Sequence, residues 1–289
     1  MGIRIIGTDV DKLSPFLHLI ECDKDVDVFV DTPQFFRRGL CVYLQLEPLA
    51  SFDAMKIMNK QFDYVLRRDP KLPHDILCLP CESWVKSDIR TKPFLITHMA
   101  GSKTNIYGQR LRLRIFMNQH KFAHLPMKFW RSAALPLLPD LNNNPVLESP
   151  VKDHSGMNRG AKAALFDAQF SLVFENSREI NYFSEKLLDC LLSRTVPVYF
   201  GCPNIRDYFD TTGWIVIQTT NADDVEQELL KKLGDLTPES YGKSPVDENF
   251  TRAMNYANLG ENVVRALIQI PGIRRVIKHK NENVLDYER

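Results

Sequence analysis

Hydrophobic and polar positions along this chain follow two rhythms, which alternate almost from end to end. Short runs rich in β-branched and aromatic residues predict strands at Ile3–Ile6, Val26–Val30, Leu40–Leu46, Tyr64–Leu66 and Ile76–Cys78. Among them, Ser51–Gln61 carries Met55, Ile57 and Met58 at helical spacing. A second series opens with a strand at Pro93–Thr97, a polar loop at Gly101–Asn105 and a basic helix at Arg110–Gln119. Pro126–Pro150, with five prolines and the run Asn142–Asn144, reads as an irregular excursion. Gln169–Glu175 sets Phe170, Leu172 and Phe174 against Gln169, Ser171 and Val173, a period of two. Phe183–Arg194 places Phe183, Leu187, Leu188, Leu191 and Leu192 on one helical face. Strands follow at Val196–Phe200 and Trp214–Gln218, then amphipathic helices at Asp223–Leu233 and Asn258–Ile268, and a polar tail, Lys278–Arg289. Strands alternating with helices predict α/β layers.

With 289 residues, the chain suits one large domain or two smaller ones. A net charge of +1 supplies no general attraction to nucleic acid or to an acidic membrane surface. No apolar run approaches the roughly 20 residues of a membrane span. Met1–Ile6 reads as a buried first strand, because Thr8, Asp9, Asp11 and Lys12 break any signal-peptide core. The missing targeting signals point to a cytoplasmic protein of bacterial or viral type, with its six cysteines reduced.

The chemistry concentrates in one stretch. Glu175, Asn176 and Ser177 follow a strand, at the edge where open α/β sheets bind ligands. Ser184 is a good N-cap and puts Glu185 and Lys186 in the first helical turn. A helix N-terminus attracts phosphate through its free N–H groups and its dipole. Lys186 adds a full charge there, and Glu185 suits ribose hydroxyls. Neither a G-x-G-x-x-G nor a G-x-x-x-x-G-K-[ST] occurs, so dinucleotide enzymes and P-loop kinases lose support.

The segment FSLVFENSREINYFSEKLLDCLLSRTVPVYFGCPNIRDYF, Phe170–Phe209, resembles the signature of the α1,3/4-fucosyltransferases, glycosyltransferase family 10. About forty residues match in order and spacing. KPFLITHMAGSKTNIYGQR (Lys92–Arg110) is similar to the family's strand–Ser–loop–Arg segment, and VYLQLEP and FDYVLRRDP correspond loosely further upstream. The exostosin-like transferases share a related C-terminal pattern. The resemblance implies a GT-B-like fold of two Rossmann-like domains, here 1–88 on the acceptor side and 89–289 binding the nucleotide sugar. It implies inverting transfer of a sugar, fucose from GDP-fucose, to a glycan hydroxyl, with no metal or other cofactor. Lys186 and Arg110 would hold the diphosphate and Glu185 the ribose. Glu175, Asn176, Ser177, Tyr182 and Ser184 would shape the donor site. Glu47 is the candidate base, with Asp31 and Glu21 next.

Two departures leave the donor open. Ser184 replaces the family's Thr, and Arg194 stands where a small residue or Gly is usual. A UDP-sugar such as UDP-xylose is the rival donor, and a non-catalytic nucleotide-sugar- or glycan-binding protein the rival class. Cys78-Leu79-Pro80-Cys81 invites a redox or zinc reading, but no second cysteine pair stands at zinc spacing, which favours two buried thiols. Asp9-Val10-Asp11 and Asp25-Val26-Asp27 mimic a D-x-D metal motif that arises easily by chance. His98, His120 and His124 read as surface or capping residues.

Overall fold

The computed structural model describes residues 2–32, 38–48, 62–87, 89–132, 135, 147–151 and 159–276. The helix expected at 51–61, most of the proline-rich excursion and the tail from 278 lie outside these residues.

The N-terminal half forms a five-stranded sheet from β1 (Ile3–Gly7), β3 (Val26–Val30), β4 (Leu40–Leu44), β5 (Tyr64–Arg67) and β6 (Asp75–Leu77), all parallel and in chain order. A short strand, β2 (Ile20–Cys22), lies outside it. Every residue of β3 and β4 is buried, as parallel strands covered on both faces require. The first strand departs from expectation. With one neighbour instead of two, β1 is a half-buried edge strand. Arg4 closes that edge with two 2.9 Å bonds to Asp27, its partner in register on β3.

The second sheet has six parallel strands. They are β7 (Ile96–Ala100), β8 (Met127–Ser132), β9 (Leu147–Val151), β10 (Phe170–Phe174), β11 (Val196–Phe200) and β12 (Ile215–Val216), in the order β12-β11-β10-β7-β8-β9. Helices α1 (Tyr107–Met117), α2 (Glu185–Leu192) and α3 (Ala222–Gly234) join or follow them. Side chains of β10 alternate between its two faces. As a central strand it is buried on both, Ser171 included. From β7 the chain runs outward to β8 and β9. It then returns to lay β10 on the other side of β7 and winds the opposite way. A reversal of this kind opens a crevice beyond the carboxyl ends of the strands that flank it.

Two helices close the chain, α4 (Val246–Met254) and α5 (Leu259–Leu267). The sequence division at residue 88 assigns both to the C-terminal domain. Helix α5 instead crosses back, and its Leu259, Val263, Val264 and Leu267 join Val26, Val28, Val42 and Leu44 in the core on one face of the first sheet. Burying each such side chain contributes roughly 1.5–3 kcal/mol. Gly260 permits the approach, because a Cβ there would fall 2.0 Å from the Phe16 ring. The last strand, β13 (Ile273–Arg275), pairs antiparallel with β2.

Candidate functional site

The carboxyl ends of both sheets face one cavity of about 750 Å³. From the first sheet come Asp9 after β1, Leu46, Glu47 and Pro48 after β4, and Arg68 after β5. From the second come Gly101 after β7, Ser132 at the end of β8 and Asn176 after β10. The N-terminal turns of α1 and α2 complete the wall with Ile106, Gln109, Ser184, Glu185 and Lys186.

Ser184 caps α2 as its sequence predicts, accepting from the Lys186 N–H at 3.4 Å. Lys186 Nζ lies 2.9 Å from Glu185 Oε1 and 3.1 Å from Ser184 Oγ. Burial alone would raise the Glu185 carboxyl. Lys186 and Lys162, with hydrogen bonds from Lys186 and Ser184, bring it down to about 2. Glu185 is therefore a fixed anion and acceptor at neutral pH, suited to hydroxyl donors.

Glu175 does not reach the cavity. It is fully buried behind the wall, where it accepts from Ser184 N at 2.9 Å and Ser184 Oγ at 2.6 Å. Burial raises its carboxyl above the usual range. Ser177 also turns away and donates to Glu179 Oε1 at 2.8 Å. Asn176 and Tyr182 do line the cavity.

Arg110 is set apart from the cavity. It is exposed and donates to the carbonyls of Thr104 and Asn105 at 3.1 and 3.0 Å, stapling the loop before α1. The α1 arginine on the cavity wall is Arg112, which donates to the Phe174 carbonyl and, at 2.8 Å, to Asn176 Oδ1. Helical phase explains the exchange. Gly108, Leu111, Arg112 and Ile115 fall at i, i+3, i+4 and i+7 on the inward face. Arg110 and Arg114 share the outward one, and Arg114 pairs there with Asp223 and Glu226. Gly108 is needed because a Cβ would fall 1.8 Å from the Glu175 carbonyl oxygen. His98, expected at the surface or as a capping residue, is buried beneath this helix with Nε2 2.9 Å from the Arg112 carbonyl. Burial holds it down at about 4, so it is neutral.

Across the cavity, the backbone of Glu47 is fixed on both sides. Its N–H donates to Asp31 Oδ2 at 3.1 Å, and its carbonyl accepts from Gln45 Nε2 at 3.0 Å and Arg68 Nη1 at 3.3 Å. Asp31 sits behind this turn with a positive φ of 46°, and burial pushes its carboxyl up to about 6. Glu21 is remote, exposed on β2 beside Arg274. Two cavity cations had no strong sequence signal. Arg68 packs over the Tyr182 ring, 4.9 Å from its centroid, and Lys162 lies 4.1 Å over Trp84. A sheet-edge argument finds Arg68, because the FDYVLRRDP strand ends just before it. Lys162 follows an irregular stretch and carries no such signal.

Burial pushes the Cys78 and Cys81 thiols up, against a redox role, and Cys81 Sγ donates to the Phe183 carbonyl at 3.2 Å. Asp9 pairs with Lys12, and Asp27 with Arg4. Among the described residues no three His, Cys, Asp or Glu side chains converge as metal ligands. Nor is any helix among them long and apolar enough to cross a membrane.

This architecture is the GT-B glycosyltransferase fold. A crystal structure of an α1,3-fucosyltransferase with GDP matches 98% of this chain and 93% of its own at a TM-score of 0.51 and 13% identity. S. aureus TarM, in a complex that includes UDP, matches 89% of this chain and 58% of its own at 0.51 and 11% identity. In sequence, the α-(1,3)-fucosyltransferase FucT of Helicobacter pylori is 29% identical over 84 residues. That alignment spans 29% of this chain and only 18% of the H. pylori enzyme. The likeness agrees with the resemblance read in Phe170–Phe209. No family model matches the chain.

Proposed function

We propose that this protein is an inverting glycosyltransferase that moves a sugar from a nucleoside diphosphate, in the first instance fucose from GDP-fucose, to a glycan hydroxyl. One observation carries the reading. The capped helix terminus with Glu185 and Lys186 and the turn bearing Glu47 lie on facing walls of one cavity. Inverting transfer is a single displacement at the anomeric carbon. Glu47 takes the acceptor hydroxyl proton as the new bond forms. The bond to the diphosphate breaks, and its growing charge meets Lys186, Arg112 and the positive end of the α2 dipole. Arg112 replaces Arg110 in this role because, of the α1 arginines, it is the one that lines the cavity. Fixed cations serve the leaving group, so the reading needs no metal. All six cysteines are free thiols, which supports a cytoplasmic setting.

The test is a thermal-shift series with GDP, UDP, GDP-fucose and UDP-xylose in EDTA. A nucleotide at 100 times its Kd should add about 2.7 kcal/mol of stability. A response to the guanosine compounds alone supports the fucosyl donor. A response to the uridine compounds alone replaces the donor and keeps the class. Donor binding without transfer to any glycan favours a binding protein, and no response to any nucleotide overturns the reading.

A further inference from the structure

Arg68 touches both the turn after β4 and the segment before α2 with its own atoms. It follows β5 at the carboxyl edge of the first sheet and is 5% exposed. Its guanidinium donates to the carbonyls of Leu46 and Glu47, on the turn that carries the candidate base. The same guanidinium packs on the ring of Tyr182, two residues before the cap Ser184. Its backbone carbonyl accepts from Asn181 Nδ2 at 2.6 Å. Asn181 has a φ of 59° and is itself pinned. Its N–H donates to Asn204 Oδ1 at 2.9 Å, and its Oδ1 accepts from Asn204 Nδ2 at 2.7 Å and the Tyr208 hydroxyl at 2.6 Å. One rigid, planar cation thus joins the Glu47 turn to the loop that leads into α2.

Resting on the function proposed above, we infer that Arg68 is a positioning residue that sets Glu47 in register with the donor helix. A charged residue buried this far loses hydration. Two carbonyls and an aromatic face replace only part of it, since Nε has no hydrogen-bond partner among the described residues. Stability alone would be served as well by an apolar side chain of similar size. The fork geometry has a use that such a side chain lacks, because it holds two successive carbonyls of one turn at once. A misplacement of about 1 Å between reacting groups costs on the order of 100-fold in rate. An arginine that fixes the turn should therefore govern transfer far more than donor binding.

The experiment compares wild type, Arg68→Gln, Arg68→Lys, Glu47→Gln and the double variant Arg68→Gln/Glu47→Gln in transfer kinetics, with the donor-nucleotide Kd measured separately. Arg68→Gln should lower kcat for transfer by about 100-fold while the nucleotide Kd stays within threefold. Arg68→Lys should recover part of the loss. The double variant should be no slower than Glu47→Gln alone, because Arg68 acts through Glu47. Equal losses in transfer and nucleotide affinity, or a double variant in which the two losses multiply, overturn the inference and leave the transferase reading standing. A Glu47→Gln variant with full transfer, or wild type that transfers nothing, overturns the base assignment and this inference together. Should Arg68→Gln fail to fold, Arg68→Lys decides, since near-normal kcat at a point charge without the fork removes the positioning role.

Discussion

The Glu175 carboxylate accepts both hydrogen bonds that Ser184 has to donate, the backbone N–H at 2.9 Å and the hydroxyl at 2.6 Å. The strand end thereby fixes the cap, and the cap fixes the first turn of α2 with Glu185 and Lys186. Under the function proposed above, Glu175 supports the donor helix from behind the cavity wall. Glu175→Gln leaves one of the two bonds unmade, because an amide nitrogen does not accept. The expected cost is about 1–3 kcal/mol in denaturant unfolding, with nucleotide affinity reduced roughly tenfold. An unfolding loss with unaltered nucleotide affinity would separate the cap from the site.

Lys186→Ala removes the cation from the first turn of α2 and leaves Glu185 with Lys162 as a neighbouring charge. Transfer should fall by about 100-fold or more in a variant that keeps its native circular dichroism, as when one preorganised charge contact is lost. Near-normal turnover in the folded variant would remove Lys186 from the leaving-group role.

The two arginines of α1 should behave oppositely. Arg112→Ala removes a cavity cation and its bonds to the Phe174 carbonyl and Asn176. Calorimetric titration with nucleotide should show affinity weakened by about tenfold or more. Arg110→Ala should leave affinity within about twofold, because its exposed guanidinium contacts only loop carbonyls. The reverse ranking would return Arg110 to the site.

Asp31 gives a pH signature. Burial raises its folded carboxyl from 3.8 to about 6, so the unfolded chain loses this proton first. Its stabilising share is complete below about pH 4 and is lost as pH rises through about 6. Melting temperatures of Asp31→Asn should therefore gain on wild type across pH 4 to 6.5, by the equivalent of about 3 kcal/mol, and then run parallel. A constant difference over that range would refute the assignment.

Much of this was legible in the residues. The Val26–Val30 strand, the Ser184 cap and the buried face of α2 all follow from local pattern and the structure keeps each of them, while the strand read at Leu40–Leu46 ends at Leu44. What local pattern missed was set by neighbours. β1 reads as apolar as any strand, and only its place at the sheet edge leaves it half exposed. Glu175 and Ser177 stand in the same tripeptide as Asn176, yet successive residues past a strand point different ways, and only Asn176 meets the cavity. Motif position points to Arg110, whereas the phase of its own helix puts Arg112 on the cavity wall. Arg194 has a φ of 53° just past α2, a left-handed position that suits glycine. Its Nε lies 2.6 Å from Asp247 and its guanidinium 4.0 Å over Phe250. Both partners are on α4, a helix that went unread although Val246, Phe250 and Ala253 keep its period.

The return of α5 and β13 to the first sheet has a consequence for synthesis. The face formed by Val26, Val28, Val42 and Leu44 is made early, and the helix that covers it is made nearly last. On the ribosome that apolar face waits for more than two hundred residues of further chain. The first sheet to be translated is thus the last to be finished, and a chain stopped before Leu259 would release it with that face covered only in part, by Leu13, Phe16 and Ile20.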